Sequence, residues 1–293
     1  MSENQQLPLI TIGVSTYNRK DYLRESLNSL LSQTYKNCEI IVVDDGSGDG
    51  TEEMVKRDFP QVRYIYQENS GDAVAKNTAA FAANGEYIVF NDSDDLFYPD
   101  GVERLYQAIA GKPGACSYGG YTAIDKDGNI LPTKKKMAVL PSGDIIEPLL
   151  EQILVCNCGF LMPTKLFRAQ GGYSSGMRVY YDYKLALNIA AEHQIYAVQE
   201  PVFYRRRHDS NISARTYDKI LVGFNVFDNF IKEHPEIAAK YPVTVRKRYA
   251  KINIMLAREA RREKRERSLI KQHCRAALKN SFTLKHLWRA IFW

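Results

Sequence analysis

The sequence predicts an α/β protein, a mostly parallel sheet flanked by helices with a helical extension at its C-terminal end. Three observations carry this expectation. Apolar, β-rich runs alternate with amphipathic segments through the first part of the chain, the order that produces βαβ units. Early apolar runs break off into polar clusters at residues 15–18, 44–47 and 92–95, and ligands of such sheets bind beyond the carboxyl ends of the strands. From about Arg215 onward the pattern is helical.

The elements follow in order. "LITIGVS" is the first strand and ends in the turn-like "TYNR". "KDYLRESLNSLLSQTY" sets Leu23, Leu27, Leu30 and Leu31 at the spacing of an amphipathic helix. "CEIIVVDDGS" is a second buried strand, and "DGTEEMVKRDF" a helix with Thr51 as its expected cap and Glu52 and Glu53 favourable in its first turn. "VRYIYQE", "AVAKNTAAFAAN" and "EYIVFNDSDD" give a third strand, a third helix and a fourth strand. After Pro99 the alternation loosens. "ERLYQAIA" is helical, and "ACSYGGYTAIDKDGNIL" reads as a hairpin turning at residues 126–129. A glycine-containing loop then leads to a helix starting near Tyr181, and "AVQEPVFYRRRHDSNIS" gives a strand and a basic loop. The expected division is a catalytic domain over residues 1–215 and a basic helical region over 216–293.

At 293 residues the chain can bury a proper core, and its 25% charged and 45% hydrophobic composition is that of a soluble globular protein. No apolar run is long enough to span a bilayer. The polar start "MSENQQLPLITIGVS" lacks a basic region followed by an apolar one, so a secretion signal is not expected. Five cysteines without framework spacing are expected to be reduced thiols of a cytoplasmic protein. Cys156 and Cys158 are expected to share one face of a strand and to pack rather than bind metal. The net charge of +6 hides an asymmetry: residues 246–293 hold 15 Lys/Arg against 3 Asp/Glu, and the rest of the chain 25 against 31.

"YIVFNDSDDLFYPDG" is the most informative stretch. A buried strand runs into Asp92, Asp94 and Asp95, three carboxylates within four positions, which repel one another unless something positive sits among them. The rival reading is an acidic loop capping the helix that begins near Pro99.

Taken together, "VSTYNR", "IIVVDDGSGDGT", "QENSGDAVAKN" and "YIVFNDSDD", followed by "GGY…YYDYKLAL" and "YRRRHDSNIS", resemble the motifs of family-2 glycosyltransferases. The resemblance spans roughly residues 9–213 and implies the GT-A fold, a Rossmann-like mixed, mostly parallel sheet. It further implies a metal-dependent, inverting transfer of one sugar from a nucleoside-diphosphate sugar, UDP- or dTDP-linked, to a hydroxyl of a glycan or lipid-linked acceptor, as in surface or capsular polysaccharide synthesis. A departing diphosphate leaves negative charge to neutralise, and oxygen ligands suit Mn2+ or Mg2+. The "QxxRW" signature of membrane-embedded processive synthases is missing, which favours one sugar per encounter.

Carried over residue by residue, the resemblance makes Asp94 the main metal ligand. Asp92, Ser93 and Asp95 stand beside the ribose, the donor sugar or metal-bound water. Ser15, Thr16, Tyr17 and Asn18 line the nucleotide, with Tyr17 where the family commonly has proline. Asp45 accepts from the base, its rival role being a turn acid, the stronger reading for Asp44. Lys76 stands where the family often has an arginine near the nucleotide, and a solvated helix lysine is the competing reading. Asp182 is the acid that activates the acceptor, although the family's Glu-Asp pair is here Tyr181-Asp182, and an aspartate at a helix start is often a cap. His208 reaches the metal or the diphosphate, or is structural, and Arg205, Arg206 and Arg207 are alternative phosphate partners.

Near the chain end Leu284, Leu287, Trp288, Ile291 and Phe292 fall on one helical face, with Lys285, His286 and Arg289 on the other. That pattern suits an interfacial helix on an anionic membrane surface, hence a cytoplasmic protein held at the inner face of the cell membrane. A packed or dimerising helix and a solvated tail compete with it. Nucleic acid is not an expected partner, because no recognition module accompanies the charge. Two other functions stay open: a nucleotidyltransferase, for which "STYNRKD" lacks a glycine-rich cradle, and a sugar-nucleotide-binding protein that has lost turnover.

Overall fold

The computed structural model describes residues 7–132, 139–208 and 216–280. Its first half is the expected alternation: β1 (Ile10–Thr16), α1 (Lys20–Leu31), β2 (Cys38–Asp44), α2 (Thr51–Asp58), β3 (Arg63–Tyr66), α3 (Asp72–Ala82) and β4 (Tyr87–Asp92). The four strands are parallel neighbours in the order β3-β2-β1-β4. Register pairs Thr16 with Asp44 and Ser15 with Asp92, so three polar strand ends arrive side by side at one rim.

Along β2 the side chains alternate as a pleated strand requires. Ile41 and Val43 enter one core with α3, while Ile40 and Val42 enter the other with α1 and α2. Both faces are thus covered, which is why these strands read as unbroken apolar runs.

The second half adds β5 (Leu96–Phe97), α4 (Gly101–Ile109), β6 (Cys116–Ile124), α5 (Ile146–Glu151), β7 (Phe160–Pro163), α6 (Thr164–Ala169), α7 (Tyr181–Glu192) and β8 (Ile195–Arg206). They complete a mixed eight-stranded sheet by adding β7-β6-β8-β5 beyond β4, with β7 antiparallel to both of its neighbours. The register of β6 against β8 shifts around Gly119 and Gly120, where β8 comes close: a Cβ on Gly119 would lie 2.6 Å from the Val202 side chain. The chain continues through α8 (Tyr217–Glu233), α9 (Pro235–Lys240), α10 (Pro242–Arg262) and α11 (Arg267–Asn280). Phe227 of α8 and Leu256 of α10 share a core with Tyr183 and Leu187 of α7.

Three local expectations are corrected. Residues 116–131 make a turn, with Asp125 N–H donating to Asn129 O at 2.9 Å, but only the bridge Ile124–Ile130 follows it, because β6 spends its hydrogen bonds on β7 and β8. Cys156 and Cys158 lie in a loop rather than a strand, and Cys158 makes a single bridge to Phe90. Thr51 is the first helical residue of α2, not its cap. Gly50, at φ 83°, occupies the cap position, and the Asp49 carboxylate accepts from Thr51 N–H and its hydroxyl instead. All five thiols are free. No described helix is long and apolar enough to cross a membrane. Residues 282–293, which carry the expected interfacial pattern, lie outside the described residues, as do 209–213 of the basic loop.

Candidate active site

At the rim, the loops after β1 and β2 are tied to each other. Asn18, in the left-handed region at φ 50°, donates its N–H to Ser47 Oγ and accepts Gly48 N–H at Oδ1, both at 2.8 Å. Tyr17 beside it is 49% exposed, whereas Thr16 is buried with its hydroxyl lacking any hydrogen-bond partner. Such an orphan is uncommon in a folded protein and marks a place where a ligand can supply the missing bond.

Asp44 behaves as the turn acid, accepting Ser47 N–H at 2.8 Å and the Tyr64 hydroxyl at 2.7 Å. Asp45 is also buried. Its carboxylate accepts Gln67 Nε2, Ser70 N–H and Gly71 N–H at 2.7–2.8 Å, fixing the loop that launches α3.

Lys76 overturns the solvated-lysine reading, because it is completely buried. Its Nζ lies 2.5 Å from Asp72 Oδ1, 2.7 Å from Asp92 Oδ1 and 3.4 Å from the Tyr181 hydroxyl. Burial works against its charge, yet Asp72 and Asp92 win and hold its pKa well above the ordinary lysine range. Asp72 also accepts the hydroxyls of Ser15 and Tyr181, so one buried cation joins the ends of β1, α3, β4 and α7.

The other two acids of the cluster have their own partners. Asp94 Oδ2 lies 2.9 Å from Arg19 Nη1 and 2.7 Å from His208 Nε2, and the His208 ring stacks on Tyr22. Asp95 is buried and accepts Arg206 N–H at 2.9 Å. Burial, and then the charges of Asp92 and Asp94, push its carboxyl well above the usual range. Ser93 between them is buried. Arg206, one of the alternative phosphate partners, is buried. Its guanidinium donates to the carbonyls of Asp94 and Lys126, pairs with Glu25 and lies over Tyr22. Arg207 is exposed.

Asp182 sits in the first turn of α7, with Oδ1 accepting Tyr183 N–H at 2.8 Å and Oδ2 accepting Asn157 N–H at 3.3 Å. Burial raises its pKa. Asn157 extends this link, because its side-chain amide donates to Asp92 Oδ1 at 3.0 Å. The Tyr173 hydroxyl donates to Asn157 Oδ1 at 2.9 Å, which fixes the amide so that its NH2 must face Asp92. The sequence reading missed Asp72, Asn157 and Tyr173. Asp72 had a local signal, a carboxylate four positions before a lysine on one helix. Tyr173 had one as well, since it ends the "GGY" of the quoted motif, and Asn157 had none.

As a cation site, the rim offers Asp92, Asp95 and Cys158, whose ligating atoms lie within 4.8 Å of one another. Burial pushes the Cys158 thiol well up, so it stays protonated, and the fitting donors are the two carboxylates. Asp94 faces away from this group toward Arg19 and His208. Carboxylate oxygens suit a hard divalent ion, and such an ion would offset the mutual repulsion of the acids.

The model of the Glycosyl transferase family 2 matches residues 11–170. An uncharacterized glycosyltransferase of Rickettsia typhi is 30% identical over 243 residues, covering 80% of this chain and 74% of the relative. Other curated relatives, at 33–36% identity, are matched over only 28–32% of their own length. Among solved structures, Staphylococcus aureus TarS residues 1–349 in complex with UDP-GlcNAc superposes with a TM-score of 0.61 at 16% identity, covering 96% of this chain and 91% of that one. The mannosyltransferase PcManGT from Pyrobaculum calidifontis, in complex with GDP-Man and Mn2+, gives 0.57 at 19% identity, with 98% and 75% covered.

Proposed function

The chain belongs to glycosyl transferase family 2 and has the GT-A fold, and on that premise we propose that it moves a single sugar, with inversion, from a nucleoside-diphosphate donor to an acceptor hydroxyl. The observation that carries this reading is the hydrogen-bonded path from Asp92 at the end of β4, through Asn157, to Asp182 at the start of α7. It sets a donor-side acid and an acceptor-side acid in one site. We assign the catalytic unit to residues 1–215 and treat 216–293 as a basic helical region appended to it.

In this reading the base and ribose of a UDP- or dTDP-sugar lie over residues 15–18 and Asp45, with Lys76, Asp92, Ser93 and Asp95 beneath the donor. Thr16 supports that placement through its orphaned hydroxyl. Mn2+ or Mg2+ would be held by Asp92 and Asp95, joined by Asp94 with His208 at its side, and would neutralise the charge on the departing diphosphate. For Asp94 to serve, Arg19 must release it, and a guanidinium so placed is suited to the diphosphate itself.

Asp182 takes the proton from the acceptor hydroxyl as that oxygen attacks the anomeric carbon. The bond to the diphosphate breaks on the opposite face, which inverts the configuration. A carboxyl whose pKa is raised by burial is a better proton acceptor than an exposed one. The acceptor is a glycan or lipid-linked sugar, and the cytoplasmic face of the membrane is the place where it would be met.

Incubation with a panel of UDP-, dTDP- and GDP-sugars plus Mn2+ or Mg2+, followed by assay of free nucleoside diphosphate, tests the reading. Release that needs the metal and Asp182 is expected. Tight donor binding with no turnover on any acceptor would favour the binding-protein alternative, and release of sugar 1-phosphate, left when the nucleoside monophosphate is transferred instead, would favour nucleotidyl transfer.

A further inference from the structure

We propose that the solvent-facing sides of α10 and α11 form a docking surface for an anionic phospholipid bilayer. Arg267, Lys271, Arg275 and Lys279 recur every fourth residue along α11, and all are exposed. At 100° per residue they occupy an arc opposite the buried His273 and Ala277, so they form the outermost ridge of the helix. On α10, Lys247, Lys251, Arg258 and Arg262 make a second exposed stripe roughly 22 Å long, on the side away from buried Leu256 and Ala260.

A charged face serving solubility or helix stability would mix signs, since like charges four residues apart destabilise a helix and opposite charges stabilise it. Along the α11 ridge every such pair is cation on cation. Among the described residues no ion pair engages Lys247, Lys251, Lys271, Arg275 or Lys279, whereas Arg262 pairs with Glu259 and Arg265 with Asp218. The surface therefore holds positive charge that the fold leaves uncompensated.

Where the start of α10 meets the end of α11, a cleft of about 330 Å³ is lined by Val243, Arg246, Leu278, Lys279 and Asn280. Val243 is 51% and Leu278 41% exposed. Two aliphatic side chains set between two cations match a phospholipid, whose phosphate takes the cations and whose glycerol and acyl region takes the aliphatics. A single-stranded nucleic acid would call for aromatic stacking platforms, and a duplex, bound through its phosphates, would leave the exposed aliphatics unused. The ring α10 offers, Tyr249, is packed on Phe224 and Phe227 and bonded to Asp228. Charge complementarity together with exposed aliphatics thus commits the surface to a bilayer. The inference does not depend on the catalytic reading.

Flotation of the full chain with phosphatidylcholine vesicles, with and without phosphatidylglycerol, tests it. Binding only to the anionic vesicles is expected. The quadruple charge reversal K247E/K251E/K271E/R275E should weaken it by more than about 10³-fold, because losing four cations alone costs about that much and the carboxylates add repulsion, with an unchanged far-ultraviolet circular dichroism spectrum. The four Gln substitutions at the same positions should give a smaller loss in the same direction, which guards against a folding artefact of reversal. Val243→Ser with Leu278→Ser should weaken binding to vesicles and leave binding of soluble polyphosphate unchanged. Wild-type chain that ignores anionic vesicles would sink the proposal. So would complete loss of binding on truncation after Asn280, which would move the membrane contact to residues 281–293, or equal sensitivity of vesicles and polyphosphate to every variant, which would make the surface a general polyanion site.

Discussion

Asn157 holds Asp92 through its side-chain amide at 3.0 Å and, from its backbone, holds Asp182 at 3.3 Å. The loop carrying it is therefore the physical link between the end of β4 and the start of α7. Asn157→Asp is nearly isosteric and keeps the Tyr173 hydroxyl bond, but it puts a like charge where an N–H donor faced Asp92. Both site acids should then hold their protons more tightly. The acid limb of the pH–rate profile should move to higher pH with little change in melting temperature. A profile that stays in place would show that the link is only structural.

Lys76 contributes in a different currency. Lys76→Met fills the same buried volume but leaves Asp72 and Asp92 without their cation, and both keep enough exposure to be partly rehydrated. A loss of about 1–3 kcal/mol in urea unfolding is expected, the usual range for stranded partners of a hydrogen-bonded group. The sign with pH follows from the raised pKa. The lysine's contribution is complete below its unfolded value, roughly 10.4, and fades only as pH climbs through the higher folded value. The gap in stability between wild type and Lys76→Met should therefore be constant through neutral pH and narrow in strong alkali. It should narrow again in acid, where Asp72, held low by Lys76 against the effect of burial, takes up its proton.

For Asp182, the substitution Asp182→Asn separates the base from the structural acceptor. Tyr180 rather than Asp182 occupies the cap position of α7; asparagine accepts the Tyr183 N–H as well as aspartate does, but it cannot take a proton. Transfer should fall by about 10²–10⁴-fold with donor affinity near wild type. Because burial raises this carboxyl's pKa, wild-type kcat/KM should lose activity on acidification before an ordinary carboxylate would, as the base becomes protonated. Normal transfer by Asp182→Asn would leave only the structural role.

Asp94→Asn removes the charge that holds Arg19 and His208. Metal-stimulated nucleotide binding, followed by titration calorimetry, should disappear while metal-independent binding of the nucleoside persists. Wild-type metal response in this variant would leave the ion to Asp92 and Asp95 alone.

The sheet and its active rim were legible because each depends on short-range pattern. A fully buried parallel strand is an unbroken apolar run, and the run stops where the chain turns into solvent at Asp44 or Asp92. Asp182 was singled out by the family resemblance, and the helix expected to start near Tyr181 is α7, with Asp182 in its first turn. What failed was set by contacts the local sequence does not carry. Residues 116–131 have hairpin composition, but the partners of β6 lie in β7 and β8. Asn157 reaches Asp92 across 65 positions in sequence and sits between two cysteines in a loop without periodicity. Lys76 was ambiguous because a helix lysine is solvated by default, and only the arrival of Asp92 and Tyr181 from other elements makes burial tolerable.

The guanidinium of Arg206 satisfies two main-chain carbonyls and a carboxylate in three directions while its carbon sits 4.9 Å from the centre of the Tyr22 ring. A lysine has charge enough but only one point from which to direct it. A saturation screen scored on activity would accordingly flag position 206 as indispensable, although its guanidinium is spent on the fold. Indispensability measured that way reports how many segments converge on a residue, and in this protein it would rank a keystone beside the chemistry without distinguishing them.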